Sequence, residues 1–86
     1  MFSKTCEYAI RATIYIASES SAGKRCGIRD IARKIESPEP FTAKILQRLV
    51  KADIIKSIKG NGGGFEIEKV QLKHIKLEQL VKAIDG

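Results

Sequence analysis

Apolar residues recur every three or four positions through the first part of the chain, which is the spacing of a helix. One apolar set comprises Phe2, Cys6, Ala9, Ile10, Thr13, Ile14 and Ala17, and a second comprises Tyr8, Ala12, Tyr15 and Ile16. Ser3 precedes the pattern and suits its N-cap. The sequence therefore predicts a helix over residues 3–20 that is apolar on two sides, and we expect another element or a second chain to cover the outer side.

Two shorter helical patterns follow, after a possible short strand at 26–28, and a proline-containing break separates them. The first runs from Ile28 to Ile35, and the second begins at Pro40 or Phe41 and ends near Ala52. The second helix has an apolar stripe of Phe41, Ile45, Leu46, Leu49 and Val50. Its opposite face is predicted to carry Thr42, Ala43, Lys44, Gln47, Arg48 and Lys51. A tight pair of helices, the second with a basic outer face, indicates a helix-turn-helix over residues 28–52.

The spacing of apolar residues changes to about two after Asp53, which is typical of strands. Residues 54–59 and 65–68 are predicted to pair as a hairpin, and this wing covers residues 54–68. A last helical pattern predicts a closing helix over residues 77–85, with Gly86 as its cap. The order of elements predicts one domain over residues 1–86, mainly α with a small β-hairpin, of the winged helix-turn-helix class.

The hairpin loop reads Gly60-Asn61-Gly62-Gly63-Gly64, and its glycine density needs an explanation. A phosphate-binding P-loop requires Gly-Lys-Ser/Thr followed by a helix, whereas Phe65 and a strand follow here. A hairpin loop without a partner explains one or two glycines, because each glycine costs conformational entropy on ordering. Four glycines favour a backbone that lies against a sugar–phosphate chain.

Positive charge is concentrated in one stretch of the chain. The chain has 16 Lys and Arg against 10 Asp and Glu, a net charge of +6. The whole excess lies between Lys24 and Lys59, which ends where the glycine loop begins. A concentrated positive field points to a polyanion such as nucleic acid. The alternative is a solvated face that only keeps the protein soluble.

Other chemistry is absent from the sequence. Cys6 and Cys26 are predicted to be small buried hydrophobes, and His74 is predicted to lie on the surface. We find no catalytic set and no metal-ligand spacing, so we expect neither an enzyme nor a small-molecule substrate. The N-terminus lacks the pattern of a secretory signal and no apolar stretch is long enough to span a membrane, so we expect a cytoplasmic protein.

Four stretches resemble one known family. They are "YAIRATIYIA" (8–17), "IRDIARKI" (28–35), "AKILQRLVKADIIKSIKGNGGGFEI" (43–67) and "LEQLVKAIDG" (77–86). Together they resemble the Rrf-two (Rrf2) family of bacterial winged-helix transcription regulators over essentially all of the chain. Asn61 stands where the family's wing usually has proline. The resemblance implies dimers that bind near-palindromic double-stranded DNA, with the second helix of the helix-turn-helix in the major groove and the wing in the minor groove.

The resemblance places Pro40, Ala43 and Lys44 at base-contacting positions. The residue types themselves favour Lys44, Gln47 and Arg48 as readers of base edges. Basic residues around them are expected to contact phosphates, which positions the protein without specifying sequence. The full predicted DNA-contacting set is Lys4, Arg29, Pro40, Thr42, Ala43, Lys44, Gln47, Arg48, Lys51, Lys56, Lys59, Asn61, Gly62 and Gly63.

Many members of the family hold an iron–sulfur cluster through three cysteines that follow the position of Gly86, and a long dimerisation helix comes next. The sequence as given ends before both, so we expect no cofactor in this chain, which is either a truncated piece or a short form. We predict a sequence-specific transcription regulator, and within that class a repressor. The alternatives are a winged-helix protein-interaction module and a non-specific nucleic-acid binder.

Overall fold

A computed structural model describes residues 3–68 and 77–85 of the chain, and it has four helices and one hairpin. The elements are α1 (Lys4–Ser21), α2 (Ile28–Ile35), α3 (Glu39–Lys51), β1 (Lys56–Ile58), β2 (Gly64–Glu66) and α4 (Leu77–Asp85). This order confirms the predicted class, a mainly helical winged helix-turn-helix with a two-stranded antiparallel wing. The predicted Gly86 cap and the predicted surface position of His74 lie outside the described residues.

Helix α1 begins as the sequence predicts, because the Ser3 hydroxyl accepts a hydrogen bond from the Cys6 amide at 3.1 Å. Its buried face combines members of both predicted apolar sets, namely Cys6, Ala9, Ala12, Thr13 and Ile16. Ile14, assigned to the first set, instead faces outward with 63% of its surface exposed. The predicted division into two apolar sets is thus wrong, because the single buried stripe contains residues of both sets.

The turn of the helix-turn-helix contains two backbone features that fix its direction. Helix α2 ends at Ile35, and its C-cap Glu36 adopts the left-handed conformation (φ 56°) although it is not glycine. Pro38 then occupies the N-cap of α3, and Pro40 lies in its first turn, where a proline needs no amide hydrogen. Helix α3 therefore begins at Glu39, slightly earlier than predicted.

The wing is shorter than the sequence predicts. In the antiparallel register Lys56 pairs with Glu66, Ser57 with Phe65 and Ile58 with Gly64. The expected strand at 26–28 is a single bridge, in which Cys26 and Phe65 exchange backbone hydrogen bonds of 3.0 and 2.8 Å. Ile54 and Ile55, predicted as strand residues, instead lie in the turn that leaves α3 and are buried.

One apolar core holds the elements together. It joins the buried faces of α1, α2 and α3 to Ile54, Ile55 and Ile67 at the base of the wing and to Leu80 and Ile84 of α4. Helix α4 packs against both α1 and α3. Cys6 and Cys26 lie in this core, as predicted, and burial raises the pKa of the Cys26 thiol to about 11. No helix in the described part of the chain is long and apolar enough to cross a membrane.

Candidate nucleic-acid interface

The exposed side of α3 carries the residues that the sequence assigned to base reading. Pro40, Lys44, Gln47 and Lys51 are all exposed, and their spacing along the helix places them in one stripe. We call this stripe the α3 face. Ala43 lies at its margin and is half-buried. The opposite side, with Ile45, Leu46 and Leu49, is buried in the core. The helix therefore presents a continuous polar and basic stripe to solvent.

Thr42 does not lie on the α3 face, so the prediction that placed it there is wrong. Its side chain has no exposed surface. Its Oγ1 lies 3.0 Å from Ser37 Oγ and 2.9 Å from the Pro38 carbonyl oxygen, so the hydroxyl closes the turn of the helix-turn-helix. Position 42 comes three residues before Ile45 and so continues the buried stripe. The Thr42 side chain is therefore not available to a ligand on the α3 face.

Arg48 is exposed, but its guanidinium is engaged elsewhere in the domain. Its Nη1 donates a 2.7 Å hydrogen bond to the carbonyl oxygen of Ile84, in the last turn of α4. A cation at a helix C-terminus is favourable, because it meets the negative end of the helix dipole and satisfies a carbonyl. Local sequence patterns do not predict this contact, because it joins residues 36 positions apart. Arg48 therefore ties α4 to α3.

Two basic side chains lie beside Tyr8, an α1 residue that contacts the first turn of α3. The Tyr8 ring contacts the Phe41 ring edge-on, with centroids 5.7 Å apart. Lys4 Nζ and Arg11 Cζ lie 5.8 and 5.9 Å from the centroid of the same Tyr8 ring, within the range of a cation–π contact. The predicted phosphate contact Lys4 is thus held against the Tyr8 ring, and Arg11, which the sequence did not indicate, contacts the same ring.

Arg29, another predicted phosphate contact, projects from the first turn of α2. Its side chain is 84% exposed, and its Nε lies 3.9 Å from a Glu39 carboxylate oxygen at the start of α3. An exposed pair at this distance contributes little to stability. The Arg29 guanidinium is therefore accessible next to the α3 face.

Two glycines of the wing loop are required by their backbone conformation. Gly60 has φ +95° and Gly62 has φ +74°, and a Cβ at either position would meet no atom within 4 Å. Residues with a Cβ rarely adopt such angles, because the side chain crowds the backbone. These two glycines therefore follow from the geometry of the turn.

The next two glycines are required by close approach of the chain to itself. A Cβ at Gly63 would lie 2.3 Å from the Ile58 carbonyl oxygen, and a Cβ at Gly64 would lie 2.7 Å from the Cys26 carbonyl oxygen. Each of the four glycines thus has a reason within the domain. This overturns the argument that an unpartnered hairpin explains only one or two of them, and the glycine density by itself is no sign of DNA.

The charged side chains of the wing are distributed unequally between its base and its tip. At the base, Lys56 Nζ lies 3.2 Å from a Glu68 carboxylate oxygen. Arg25 contacts both Glu66, on β2, and the Gly62 carbonyl oxygen, at the tip. Lys59 and Asn61 are exposed, and Lys59 forms no ion pair within residues 3–68 and 77–85. The tip therefore offers one lysine and an amide to a ligand.

Solved structures support this architecture. The structure of T. potens IscR superposes with a TM-score of 0.88 at 22% identity, covering 100% of this chain and 61% of that one. CymR, the global cysteine regulator of B. subtilis, superposes with a TM-score of 0.87 at 19% identity, covering 100% of this chain and 65% of that one. At these identities the likeness establishes the fold.

Curated relatives are more similar in sequence. An rrf2-like HTH-type transcriptional regulator of Rhodobacter capsulatus is 31% identical over 88 residues, covering 100% of this chain and 58% of that protein. An HTH-type transcriptional regulator of Aquifex aeolicus is 35% identical over 69 residues, covering 80% of this chain and 46% of that protein. The chain thus spans about half the length of the curated relatives it matches.

The sequence profile of the Rrf2 family, described as "Iron-dependent Transcriptional regulator", matches residues 2–86. The described residues do not fit an iron site. Cys6 and Cys26 are buried in the apolar core, and no three His, Cys, Asp or Glu side chains are grouped to hold a metal within residues 3–68 and 77–85. The match nevertheless covers nearly the whole chain. Together with the relative in R. capsulatus, it shows that the chain belongs to the Rrf2 family of transcriptional regulators.

Proposed function

We propose that residues 1–86 form the DNA-binding domain of a sequence-specific transcription regulator, with the α3 face in the major groove and the wing in the minor groove. The observation that carries the proposal is the α3 face itself, an exposed basic stripe on the second helix of a helix-turn-helix. An α-helix fits the major groove, where each base pair presents a distinct pattern of donors and acceptors.

Lys44 and Gln47 are the proposed base readers, because lysine can pair with guanine O6 and N7 and glutamine with adenine. Pro40 and Ala43 make apolar contacts with the base edges beside these two residues. Arg48 is left out of this set because its guanidinium is bonded to α4. The proposed phosphate contacts are Lys51 at the end of the α3 face and, outside it, Lys4, Arg29 and Lys56. In the minor groove, the wing presents Lys59, Asn61, Gly62 and Gly63.

The proposed regulator acts as a repressor. A homodimer occupies a near-palindromic operator and blocks the promoter, since two-fold protein symmetry matches two half-sites. A bacterial regulator meets its operator in the cytoplasm, which is the proposed location, and this domain needs no cofactor of its own to bind DNA. A protein-interaction module requires no basic bias on α3 and the wing, so the charge favours DNA over that alternative.

Lys44→Ala is expected to weaken binding to the preferred duplex by about 1–3 kcal/mol and to relax the choice of base at one position. The preferred duplex is first selected from a randomised library with the unmodified chain, and affinities are then compared with those for a scrambled duplex. Lys34→Ala is the matched control, because Lys34 is exposed on α2 over the Tyr15 ring and outside the proposed interface.

The outcome of that titration separates the candidate functions. A parent chain that binds no duplex even at low salt rules out DNA binding and favours the protein-interaction module. Equal affinity for the selected and scrambled duplexes leaves a non-specific nucleic-acid binder and removes the regulator. Equal losses for Lys44→Ala and Lys34→Ala would contradict base reading by the α3 face.

Lys59→Ala is expected to behave differently from Lys44→Ala. A lysine at the wing tip that neutralises a phosphate releases a counterion, so its loss should weaken all duplexes similarly. The slope of log affinity against log salt concentration should fall by about 1 in magnitude. Titration of the selected and scrambled duplexes across a salt series measures both effects, and an unchanged slope would place Lys59 away from the phosphates.

A further inference from the structure

Arg25 connects the tip of the wing to its second strand. It lies between α1 and α2, next to Cys26, whose backbone bridges Phe65. Arg25 Nε donates a 2.6 Å hydrogen bond to a carboxylate oxygen of Glu66, on β2. Its Nη1 donates a 3.0 Å hydrogen bond to the carbonyl oxygen of Gly62, at the tip. One guanidinium therefore spans the two sides of the Gly63–Gly64 segment.

The geometry suits arginine and no other side chain. A guanidinium is planar and presents its donors in a fixed fork, so two simultaneous bonds define the position of both acceptors. Lysine has a compact ammonium on a flexible stem and cannot reproduce that fork. The ion pair is partly exposed, with 44% of the Arg25 side chain and 26% of the Glu66 side chain accessible. The main effect of the ion pair is therefore to fix the position of the wing tip relative to β2.

The tip needs an external restraint because of its composition. Glycine loses more conformational freedom on ordering than any other residue, and four of the five loop residues are glycine. Gly64 is held by its pairing with Ile58 at the end of the hairpin. Apart from that pairing, the described part of the chain has one backbone bond within the loop, from the Gly63 amide to the Gly60 carbonyl. The bond from Arg25 to Gly62 therefore adds a restraint from outside the hairpin.

We propose that Arg25 is a positioning residue for the wing, which it holds in the shape that meets DNA, with Glu66 as its anchor. The proposal rests on the proposed function and extends it to two residues that need not touch the nucleic acid. Ordering the tip before binding removes an entropy cost from the binding step. Local sequence patterns do not predict this pair, because Arg25 and Glu66 lie 41 positions apart.

Glu66 gives the proposal a test in which two explanations predict opposite signs. A carboxylate on the wing repels a polyanion, so by charge alone its removal strengthens binding. If Glu66 anchors Arg25, its removal weakens binding although the net charge becomes more positive. Glu68 is the matched control, because it is also a wing carboxylate, but its partner is Lys56 at the base.

The first experiment measures the affinity of the 86-residue chain for the selected duplex. Glu66→Ala is expected to bind about tenfold more weakly than the parent. This loss of affinity corresponds to the free-energy cost of ordering the backbone of one residue. Glu68→Ala is expected to bind as tightly as the parent or more tightly. Arg25→Lys should lose nearly as much affinity as Arg25→Ala, whereas a direct phosphate contact would survive that change. Binding by Glu66→Ala as tight as that by Glu68→Ala, or full retention by Arg25→Lys, overturns the proposal.

The second experiment needs no DNA and so separates this proposal from the proposed function. Backbone amide relaxation and hydrogen exchange of residues 60–64 are measured by NMR in the free chain. Arg25→Ala and Glu66→Ala should increase the mobility of these amides, while Glu68→Ala should not. Thermal unfolding checks that the helices are intact. An unchanged loop in Arg25→Ala overturns the proposal even where DNA binding is confirmed, and a parent that binds no duplex overturns only the proposed function.

Discussion

Gly63→Ala is expected to disrupt the wing while the helices stay folded. The new Cβ would lie 2.3 Å from the Ile58 carbonyl oxygen and 2.8 Å from that of Gly60, both in the backbone of the same hairpin. Backbone atoms cannot move aside as a flexible side chain can, so β1 and β2 must separate at their closed end. The core does not include this loop, because its buried residues lie on the helices, at the base of the wing and at Cys26 between α1 and α2.

The measurement is amide hydrogen exchange, combined with far-UV circular dichroism and duplex binding. We expect lost protection in β1 and β2, retained helical signal, and weaker binding to every duplex. Gly62→Ala is the matched control, because a Cβ there meets nothing within 4 Å. Its only cost is the positive φ, about 1–2 kcal/mol. A wing equally protected in Gly63→Ala and in the parent would contradict the close approach.

Leu46→Ala is expected to lower the free energy of unfolding by about 2–5 kcal/mol, the cost of removing a leucine from a packed core. Leu46 has no exposed surface and lies on the buried side of α3. A domain of this size has a total stability of only about 4–13 kcal/mol, so the change removes a large part of it. Chemical denaturation monitored by circular dichroism gives the difference directly.

Ile14→Ala is the matched control for Leu46→Ala. Ile14 is also a large aliphatic residue on a helix, but it is 63% exposed. We expect its replacement to change the free energy of unfolding by no more than about 0.5 kcal/mol, as for other surface positions. Equal costs at the two positions would mean that a second copy of the chain covers Ile14 in solution, and the dependence of unfolding on protein concentration would show it.

Periodicity predicted the elements well, because the spacing of apolar residues directly reflects which side of a helix or strand is buried. It located α3 and most of its exposed stripe, including Lys44 and Gln47. It failed at Thr42, since a threonine was assigned to the polar side by its type although its spacing matched the buried side. A hydroxyl whose partners lie in the preceding turn, at Ser37 and Pro38, can be fully buried.

Contacts between distant parts of the chain could not be predicted from the sequence. The bond from Arg48 to α4 and the bonds from Arg25 to the wing depend on the relative position of elements, which local patterns do not encode. The wing glycines were misinterpreted for the same reason, because backbone contacts that local patterns do not encode explain why glycine is needed there. Their number suggested an external partner, whereas the backbone of Cys26 and Ile58 accounts for two of them.

The brevity of the wing also affects how the domain behaves at high concentration. A strand at the margin of a sheet has unpaired backbone groups that can recruit a strand from another molecule and start aggregation. Here β1 has only three residues, Lys56 begins it and Lys59 follows it. On the other side of the hairpin, the Cys26 backbone occupies both hydrogen-bonding groups of Phe65. Short strands with charged margins therefore leave little edge on which a fibril could grow.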